Sequence, residues 1–424
     1  MKKIIASAGL VAVSAAGLQA AAPGLSPMES TKPWSISATL RGFYDDNYTA
    51  VHKSAEDDSF GFEIRPAIGL NFPFEQSFVG LGYVYSLRWY EGRSDDQADQ
   101  SHEVTLRANH RFSERFSVDF DDSFIYSDEP TILDDEGTVT TFQRTEAGAF
   151  RNRALINFDA QLTDLVGLGL GYQNNWWNFD QEGEGSRSAL MDRFEHDFTI
   201  EGRWHARENT FASLGYGLNI FSYTDDEVIA RDLPAFDGDP GRVIAVSDDR
   251  DKIAHRVYVG ADHAFTSQFR VSAKVGGEYT DFSELDEDSL TPWAQVAGTY
   301  NYLPGSYLQF GFRHERNATD RATPDFNDEI VTDQQSSSLF ASVTHRITPR
   351  LDGSVIGRVQ RSEFQNGAFD GDLDYFATLG LNLEYHFTPN WSTDVGYNYD
   401  RLDSDLPFRS FTRNRVYAGV RATY

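Results

Sequence analysis

The side chains in this sequence that could carry chemistry are acids, arginines and histidines, and none has the spacing of a familiar catalytic or metal site. Ten histidines are scattered along the chain. His196, His205, His255 and His263 lack the Glu-x-x-His arrangement that places ligands on one helix face. No Gly-x-Ser-x-Gly segment is present to expose a serine nucleophile. We therefore expect no catalytic residue, no metal site and no cofactor.

The composition excludes further classes of function. The chain has no cysteine, which rules out disulfide bonds, thiolate metal ligands and thiol catalysis. Lys and Arg number 37 against 65 Asp and Glu, giving a formal net charge of −28, whereas nucleic-acid binding needs a basic surface. Beyond residue 20 no run of about 18 apolar residues could cross a bilayer as a helix. Nucleic acid is therefore excluded as a partner, and so is a helical membrane protein.

The first residues have the layout of an export signal. Lys2 and Lys3 precede a short stretch of apolar and small residues, Ile4 to Leu18, which is followed by Gln-Ala-Ala-Ala. A positive start, a short apolar middle and small residues at the end are typical of a secretory signal peptide. We predict a removed signal peptide over residues 1–20 and an N-terminal periplasmic segment over residues 21–33.

The rest of the chain consists of segments of about ten residues in which apolar and polar residues alternate. In the clearest segment Phe60, Phe62 and Ile64 alternate with Glu63 and Arg65. A period of two residues is typical of a β-strand with one apolar and one polar face. The sequence therefore predicts an all-β fold in which the polar side chains share one face of a sheet.

Short and long connections between these segments alternate. The short ones pair large apolar residues around Thr, Ser or Pro, and the long ones are acidic and rich in Gly and Asp. Eight short turns and nine long connections join 18 strands, and 16 is the second choice. The short turns start near residues 72, 112, 162, 206, 265, 303, 347 and 387, and the long connections span 48–58, 92–101, 127–146, 181–191, 225–251, 282–290, 316–333, 363–371 and 402–410.

A soluble sandwich would show the same period of two, so other features must decide what covers the apolar face. Strict alternation of short turns and long loops is typical of transmembrane barrels. Aromatic residues also gather at both ends of the strands, as Phe112 and Phe116 do at a short turn and Trp89 does near a long loop. We predict a single transmembrane antiparallel up-and-down β-barrel over residues 34–424, closed because lipid cannot satisfy the backbone groups of an open sheet edge.

Two segments carry a resemblance to a known family. The opening strand reads Ile-Ser-Ala-Thr-Leu-Arg-Gly-Phe-Tyr-Asp-Asp-Asn-Tyr over residues 36–48, and the chain closes with Arg-Val-Tyr-Ala-Gly-Val-Arg-Ala-Thr-Tyr over residues 415–424. The first resembles the start of the putative beta-barrel porin 2 family of Gram-negative outer membranes. The second is similar to the terminal strand that the barrel-insertion machinery reads, with Tyr424 at its end. The resemblance implies an outer-membrane porin-like barrel and brings no catalytic residues.

If the apolar face meets lipid, the opposite face lines the lumen. The charged residues of that face are mixed in sign with arginine in excess, while the acids that dominate the net charge lie in the long loops. Facing Arg and Glu could equally pair across strands and only stiffen the wall. The predicted pore-lining residues are Glu63, Arg65, Arg107, Arg111, Arg151, Arg153, Arg193, Glu195, Asp197, Glu201, Arg203, Arg256, Asp262, Arg270, Lys274, Glu278, Arg358, Arg415 and Arg421.

A barrel of 16 to 18 strands leaves an aqueous channel, so the expected function is passive diffusion of small hydrophilic solutes or ions. The alternative is a plugged barrel that serves as an adhesin, an anchor or a rim enzyme. Loop 225–251 either folds inward as a constriction or projects as a solvated loop. The expected partners are outer-membrane lipid, lipopolysaccharide, the insertion machinery and small solutes, with association into homo-oligomers left open.

Overall fold

A computed structural model describes residues 32–128, 148–224, 226–232, 241–285 and 287–424. Eighteen of its strands form one antiparallel sheet, and two short strands form a separate hairpin. The barrel strands are β1 (Trp34–Asp45), β2 (Ser59–Pro73), β3 (Ser77–Tyr90), β4 (Ala98–Arg111), β5 (Phe116–Ser127), β6 (Ala149–Gln161), β7 (Val166–Phe179), β8 (Arg193–Arg207), β9 (Thr210–Tyr223), β12 (Lys252–Ala264), β13 (Phe269–Phe282), β14 (Glu287–Leu303), β15 (Ser306–Asn317), β16 (Asp333–Thr348), β17 (Leu351–Gln365), β18 (Leu373–Thr388), β19 (Trp391–Ser404) and β20 (Phe411–Thr423), and the hairpin is β10 (Val228–Arg231) with β11 (Val243–Val246).

The sheet closes on itself. Strand β1 pairs along its length with β2 and also with β20, so that Leu40 lies opposite both Ile64 and Val420. Each of the other barrel strands likewise has a partner on both sides. The closed 18-stranded antiparallel barrel confirms the predicted fold class and strand number. Because no edge is left, every strand can satisfy its backbone hydrogen bonds inside the sheet.

The strands are staggered as well as paired. A path that steps from each residue to its direct partner on the next strand does not return to its starting residue after one turn of the barrel. It returns to β1 roughly 22 residues nearer the long connections, a shift of about 1.2 residues per strand. Such a shear tilts the strands by roughly 35–45° from the barrel axis. The residue at the same height along the barrel axis on the next strand is therefore not the direct partner. It lies about one position from that partner, towards the short turns.

The two faces of the sheet differ as the alternation predicts. In β2 the side chain of Phe60 is 62% exposed and that of Ile64 is 43% exposed, whereas Glu63 is 6% and Arg65 is 8% exposed. The same contrast recurs around the barrel, where Val257 and other aliphatic side chains cover the outer face. The apolar outer surface packs against no second sheet or helix in the described part of the chain.

Connections follow the predicted order of short and long. All eight short turns lie where the sequence places them, between strands such as β4 and β5. The long connections include two elements that the sequence did not reveal, the helix α1 (Arg187–Met191) and the β10–β11 hairpin. Much of connection 127–146, the predicted signal peptide 1–20 and most of segment 21–33 lie outside the described residues. No described helix is long and apolar enough to span a membrane.

Inner-face aromatic rings lie flat against glycines of the neighbouring strand. A methyl group on Gly396 would come within 2.1 Å of the Tyr417 ring, and one on Gly215 would come within 2.1 Å of Tyr258. Both rings are buried. These glycines are required because the ring takes the volume that any side chain would need. They explain why glycine interrupts several strands without breaking them.

We expect Gly396→Ala to destabilise the folded barrel by about 1–3 kcal/mol, because the new methyl group must displace a packed ring. Gly42→Ala is the matched control, since nothing lies within 4 Å of a methyl group placed there. Urea unfolding in lipid vesicles, followed by tryptophan fluorescence, measures both. Equal midpoints for the two variants would show that the Tyr417 contact imposes no constraint.

Candidate pore lining and mouth

The inner face of the barrel carries every one of the predicted pore-lining residues. Each has the strand parity opposite to the exposed apolar side chains, and neighbouring members are direct partners in the register, as Arg256 and Glu278 are. Their placement on this face follows from geometry, whereas their contact with a permeating solute stays a prediction. Within the residues that the structure describes, no group of three or more His, Asp or Glu is arranged to hold a metal ion.

One cluster of inner-face charges spans β1, β2, β3, β4 and β19. Glu63 accepts hydrogen bonds from Arg41 at 3.3 Å and from Arg88 at 3.1 Å. Arg41 also lies 2.8 Å from Asp394, and Arg65 lies 3.9 Å from Glu103. Each charge in these contacts therefore has an opposite charge as its neighbour, and such charge-assisted hydrogen bonds are the stronger kind.

A second cluster lies across β8, β12 and β13. Glu201 accepts hydrogen bonds from Arg203 at 2.7 Å, from Lys274 at 2.5 Å and from the Tyr258 hydroxyl at 3.0 Å. Arg203 bridges further to Asp159 on β6. Three side chains converge on one buried carboxylate, which fixes the positions of the two cations around it. The pairing that the sequence left open as an alternative is therefore present at these residues.

Several wall cations also stack on aromatic rings. The Arg151 guanidinium lies 4.6 Å from the centre of the Trp177 ring, and that of Arg256 lies 4.7 Å from the Trp293 ring. A planar guanidinium keeps its in-plane donors available while one face rests on a ring. Stacking thus orients these cations without removing their charge.

The predicted excess of arginine on this wall is offset by acids that the sequence reading missed. Glu103, Asp119, Asp121 and Asp394 have inner-face parity, and Asp121 lies 3.5 Å from Arg107. Arg41 and Arg88 were missed too. A strict count of parity from each exposed apolar neighbour would have found most of them. The wall of charges is therefore close to balanced in the described part of the barrel.

The side of the wall formed by β16, β17 and β18 is different, because hydroxyl and amide groups dominate it. The Ser336 and Ser362 hydroxyls lie 2.9 Å apart, and the Gln360 amide donates to Ser362 at 2.9 Å. All three side chains are buried. Neutral polar groups on one side and paired charges on the other give the interior two chemically distinct faces.

At the long-connection end, the 318–332 segment between β15 and β16 folds in towards the wall. Asp320 in this segment accepts hydrogen bonds from Arg409 at 2.9 and 3.0 Å and from Arg187 at 2.8 Å. Arg409 donates in turn to Asp374, at the start of β18, at 2.9 Å. Asp320 and Arg409 are 2% and 1% exposed. Three separate connections therefore meet at one buried carboxylate across the mouth.

Apolar contacts support the same arrangement. Ile229 and Ala245 of the β10–β11 hairpin belong to one buried cluster with Ala189 of α1 and with Ala322 and Ile330 of the 318–332 segment. The described part of connection 225–251 is thus packed against other connections, which differs from a loop that projects into solvent. Residues 225 and 233–240 of that connection lie outside the described part of the chain.

The charge state of Asp320 follows from its partners. Burial on its own would raise the pKa of this carboxyl, but the positive charges of Arg409, Arg187 and Arg321 outweigh burial and hold the pKa below its usual range. An aspartate with a depressed pKa stabilises the folded arrangement above the pKa of the unfolded chain, about 4, and loses that contribution as the pH falls further. The mouth contacts therefore stay intact through the neutral range.

Comparison with known proteins agrees with this geometry at the C-terminal end of the chain. Residues 334–424 match the family model described as Putative beta-barrel porin 2. The match confirms the resemblance predicted from the terminal strand, and it covers β17 to β20 and nearly all of β16. No curated protein sequence matches the chain.

Solved structures with a similar course of the chain are outer-membrane proteins. They include Pseudomonas aeruginosa OpdK with vanillate (12% identity, 92% of this chain and 99% of that chain, TM-score 0.45). Acinetobacter baumannii OccAB4 shows 10% identity over 93% of this chain and 99% of that chain, with a TM-score of 0.43. The ferric enterobactin receptor PfeA of Pseudomonas aeruginosa, as a mutant, shows 8% identity over 92% and 80%, with a TM-score of 0.46.

We expect Asp320→Asn to loosen the mouth while leaving the barrel folded, because it removes the negative charge that the buried Arg409 and the partly buried Arg187 share. Breaking a buried ion pair from one side costs roughly 3–5 kcal/mol. Hydrogen exchange in segment 318–332 should speed up by about 100-fold or more, with strand amides unchanged. In the wild type, protection of this segment should be constant from pH 5 to 8 and fall below about pH 4.

The matched control is Asp328→Asn in the same segment. Asp328 pairs with Arg242 where both side chains are well exposed, and such surface pairs contribute little. Exchange in the control variant should match the wild type. If the Asp320 variant also matches it, the buried contacts do not hold the segment.

Proposed function

We propose that this protein is an outer-membrane channel through which small hydrophilic solutes or ions diffuse passively. The observation that carries the proposal is the dense row of charged and polar side chains on the inner face of a closed 18-stranded barrel. A dry interior would leave these groups poorly solvated at high cost, whereas a water-filled lumen solvates them. Barrels of 16 to 18 strands leave room for such a lumen.

The outer face supports the membrane location. Leu214 and Val259 are 62% and 56% exposed, and aliphatic side chains like them surround the barrel. A soluble protein rarely exposes an apolar surface that is continuous around the whole molecule. Hydrocarbon is the cover that such a band fits. In a Gram-negative cell, the location we propose is therefore the outer membrane.

Selectivity in this proposal comes from the mouth more than from the wall. The wall charges are nearly balanced, so most of the net charge of −28 belongs to the long connections. Exposed acids such as Glu56, Asp57 and Asp58 lie between β1 and β2. A negative entrance concentrates cations over about a Debye length. We infer a modest preference for cations and for uncharged solutes over anions.

The packed mouth favours a second candidate, a plugged barrel that acts as an anchor or adhesin. Asp320, Arg409 and Asp374 are all buried at the long-connection end, which is where an open channel needs an entrance. A diffusion channel conducts ions, whereas a plugged barrel does not. They share the fold and the membrane location.

Conductance in planar bilayers separates them. We expect stable single-channel steps, with a reversal potential in a KCl gradient that corresponds to a cation preference of roughly twofold or more. Asp57→Asn combined with Glu56→Gln should reduce this preference in 0.1 M KCl and have no effect at 1 M, where the Debye length is only about 3 Å. The measurement of this double variant at 1 M KCl is thus its own control.

A folded barrel that inserts and never conducts would support the plugged alternative. Steps that appear only in Asp320→Asn would show that the native mouth is closed and that segment 318–332 closes it. An anion preference would contradict the assignment of selectivity to the acidic connections.

A further inference from the structure

Most of the histidines lie on the outer face, on strand positions that face lipid if the membrane location holds. None of the seven outer-face histidines is buried. In all seven the Nδ1 atom lies within hydrogen-bond distance of a hydroxyl oxygen. The pairs are His102 with Tyr83 at 2.9 Å, His196 with Tyr172 at 3.0 Å, His255 with Tyr216 at 2.8 Å, His314 with Ser337 at 2.7 Å, His110 with Ser77 at 2.7 Å, His263 with Thr210 at 2.8 Å and His345 with Tyr302 at 3.0 Å.

Three of the pairs share one geometry. Each joins a tyrosine to a histidine on the next barrel strand, and the two rings are inclined by 14–29° with centres 6.2 Å apart in every case. The three pairs come from different parts of the sequence, and their partners are 19, 24 and 39 residues apart. Independent recurrence of one geometry indicates a feature that the barrel uses at several points of its circumference.

Register places these histidines at one height. His196 is the direct partner of Ile220, and Ile220 is the direct partner of Ile253. His255 lies two residues from Ile253 along β12, towards the short turns. Because the shift is about 1.2 residues per strand, a residue two strands away from His196 has the same height when it lies about two residues from the direct partner, towards the short turns. His196 and His255 therefore lie at the same distance along the barrel axis.

The same reasoning extends to His314. The path from His255 runs through Tyr279 to Leu290 on β14, while His314 is paired with Ala294, four residues nearer the short turns. Three strand steps call for an offset of about 3.7 residues. His102, near the long-connection end of β4, fits the level within about one residue. We call these four histidines, which lie nearer the long connections, the first histidine row.

A second row of histidines lies nearer the short turns. His110 is eight residues from His102 along β4, and His263 is eight residues from His255 along β12. At about 3.3 Å per residue and a tilt of roughly 40°, eight residues span about 20 Å along the axis. The apolar belt of a transmembrane barrel has a similar height, about 25 Å. The separation of the two rows is therefore close to the height of such a belt.

Each histidine–hydroxyl pair has two donor protons and uses only one of them in its own hydrogen bond. A neutral imidazole has one N–H and a hydroxyl has one O–H, and the contact at Nδ1 uses only one of them. For His196, the Asn174 amide also approaches Nδ1 at 3.1 Å, which makes Nδ1 the acceptor and places the N–H on Nε2. His314 differs, because its Nε2 lies 2.8 Å from the Gln335 amide. The Nε2 atoms of the other six have no hydrogen-bond partner within the described part of the chain.

We propose that these leftover protons are donated to the ester carbonyl oxygens of lipids at both edges of the hydrocarbon layer. This inference rests on the proposed membrane location and does not depend on conduction. The edge of a bilayer offers many acceptors and few donors, so an uncharged donor fits ester carbonyls well. Phosphate lies farther out and is better matched by cations. The two rows thereby set the depth and the thickness at which the barrel sits.

The test compares lipids that differ only in the ester carbonyl. The wild type and the triple variant His102→Phe, His196→Phe, His255→Phe are refolded in vesicles of dilauroyl phosphatidylcholine and of its diether counterpart. Urea unfolding then gives the equilibrium constants. The wild type should lose at least roughly tenfold in stability on going from ester to ether lipid, since several hydrogen bonds of modest strength are lost. In the triple variant, which keeps three of the six donors, the difference in log K between the two lipids should shrink to about half of the wild-type difference.

His205→Phe is the matched control, because His205 lies at the short-turn end of β8 with its ring against inner-face Phe211, 4.2 Å between centres. It should keep the full wild-type difference. Equal stability of the wild type in both lipids would overturn the proposal, even if the triple variant does not fold. A triple variant that keeps the whole difference would overturn it too. A chain that inserts into neither lipid would instead contradict the proposed membrane location.

Discussion

The structure depends on one constraint, which is that every backbone N–H and C=O in the barrel wall must find its partner within the wall. An edge strand surrounded by hydrocarbon would leave a row of these groups without hydrogen bonds, at several kcal/mol each. Pairing β1 with both β2 and β20 removes that edge. Once the wall is closed, each side chain can point only to the outside or to the inside. The period of two in the sequence then decides the chemistry of both surfaces.

Closure also explains how so many charges can occupy the interior. Strand pairing puts side chains of neighbouring strands about 5 Å apart on the same face, so an arginine on one strand can reach an acid on the next. Glu63 and Glu201 each gather cations from two or more strands in this way. Balanced pairing leaves the wall with little net charge, so the net charge of the chain lies mostly in the connections. Wall and mouth thus have separate electrostatic roles.

The sequence predicted the barrel well because its signals are local. Phe60 against Glu63, or the short turn between Phe112 and Phe116, can be read within a few residues, and such features recur along the chain. The mouth could not be predicted. Arg409 and Asp320 are 89 residues apart and Arg413 and Asp45 are 368 apart, so no local pattern connects them. The helix α1 and the β10–β11 hairpin are short, and tertiary contacts rather than periodicity hold them in place.

The balance of the wall charges illustrates the same limit within the strands. Parity assigns Arg41 or Asp121 to a face, but only the register shows which partner it meets, and register is set by turns and by stagger around the whole barrel. Stagger likewise turns scattered histidines into rows, since His196 and His255 become level only after two strand steps are counted. Position along the chain gives the face of a residue, and the shear of the closed sheet gives its height. Both coordinates are needed before a polar residue on a barrel can be assigned to water, to a neighbouring charge or to lipid.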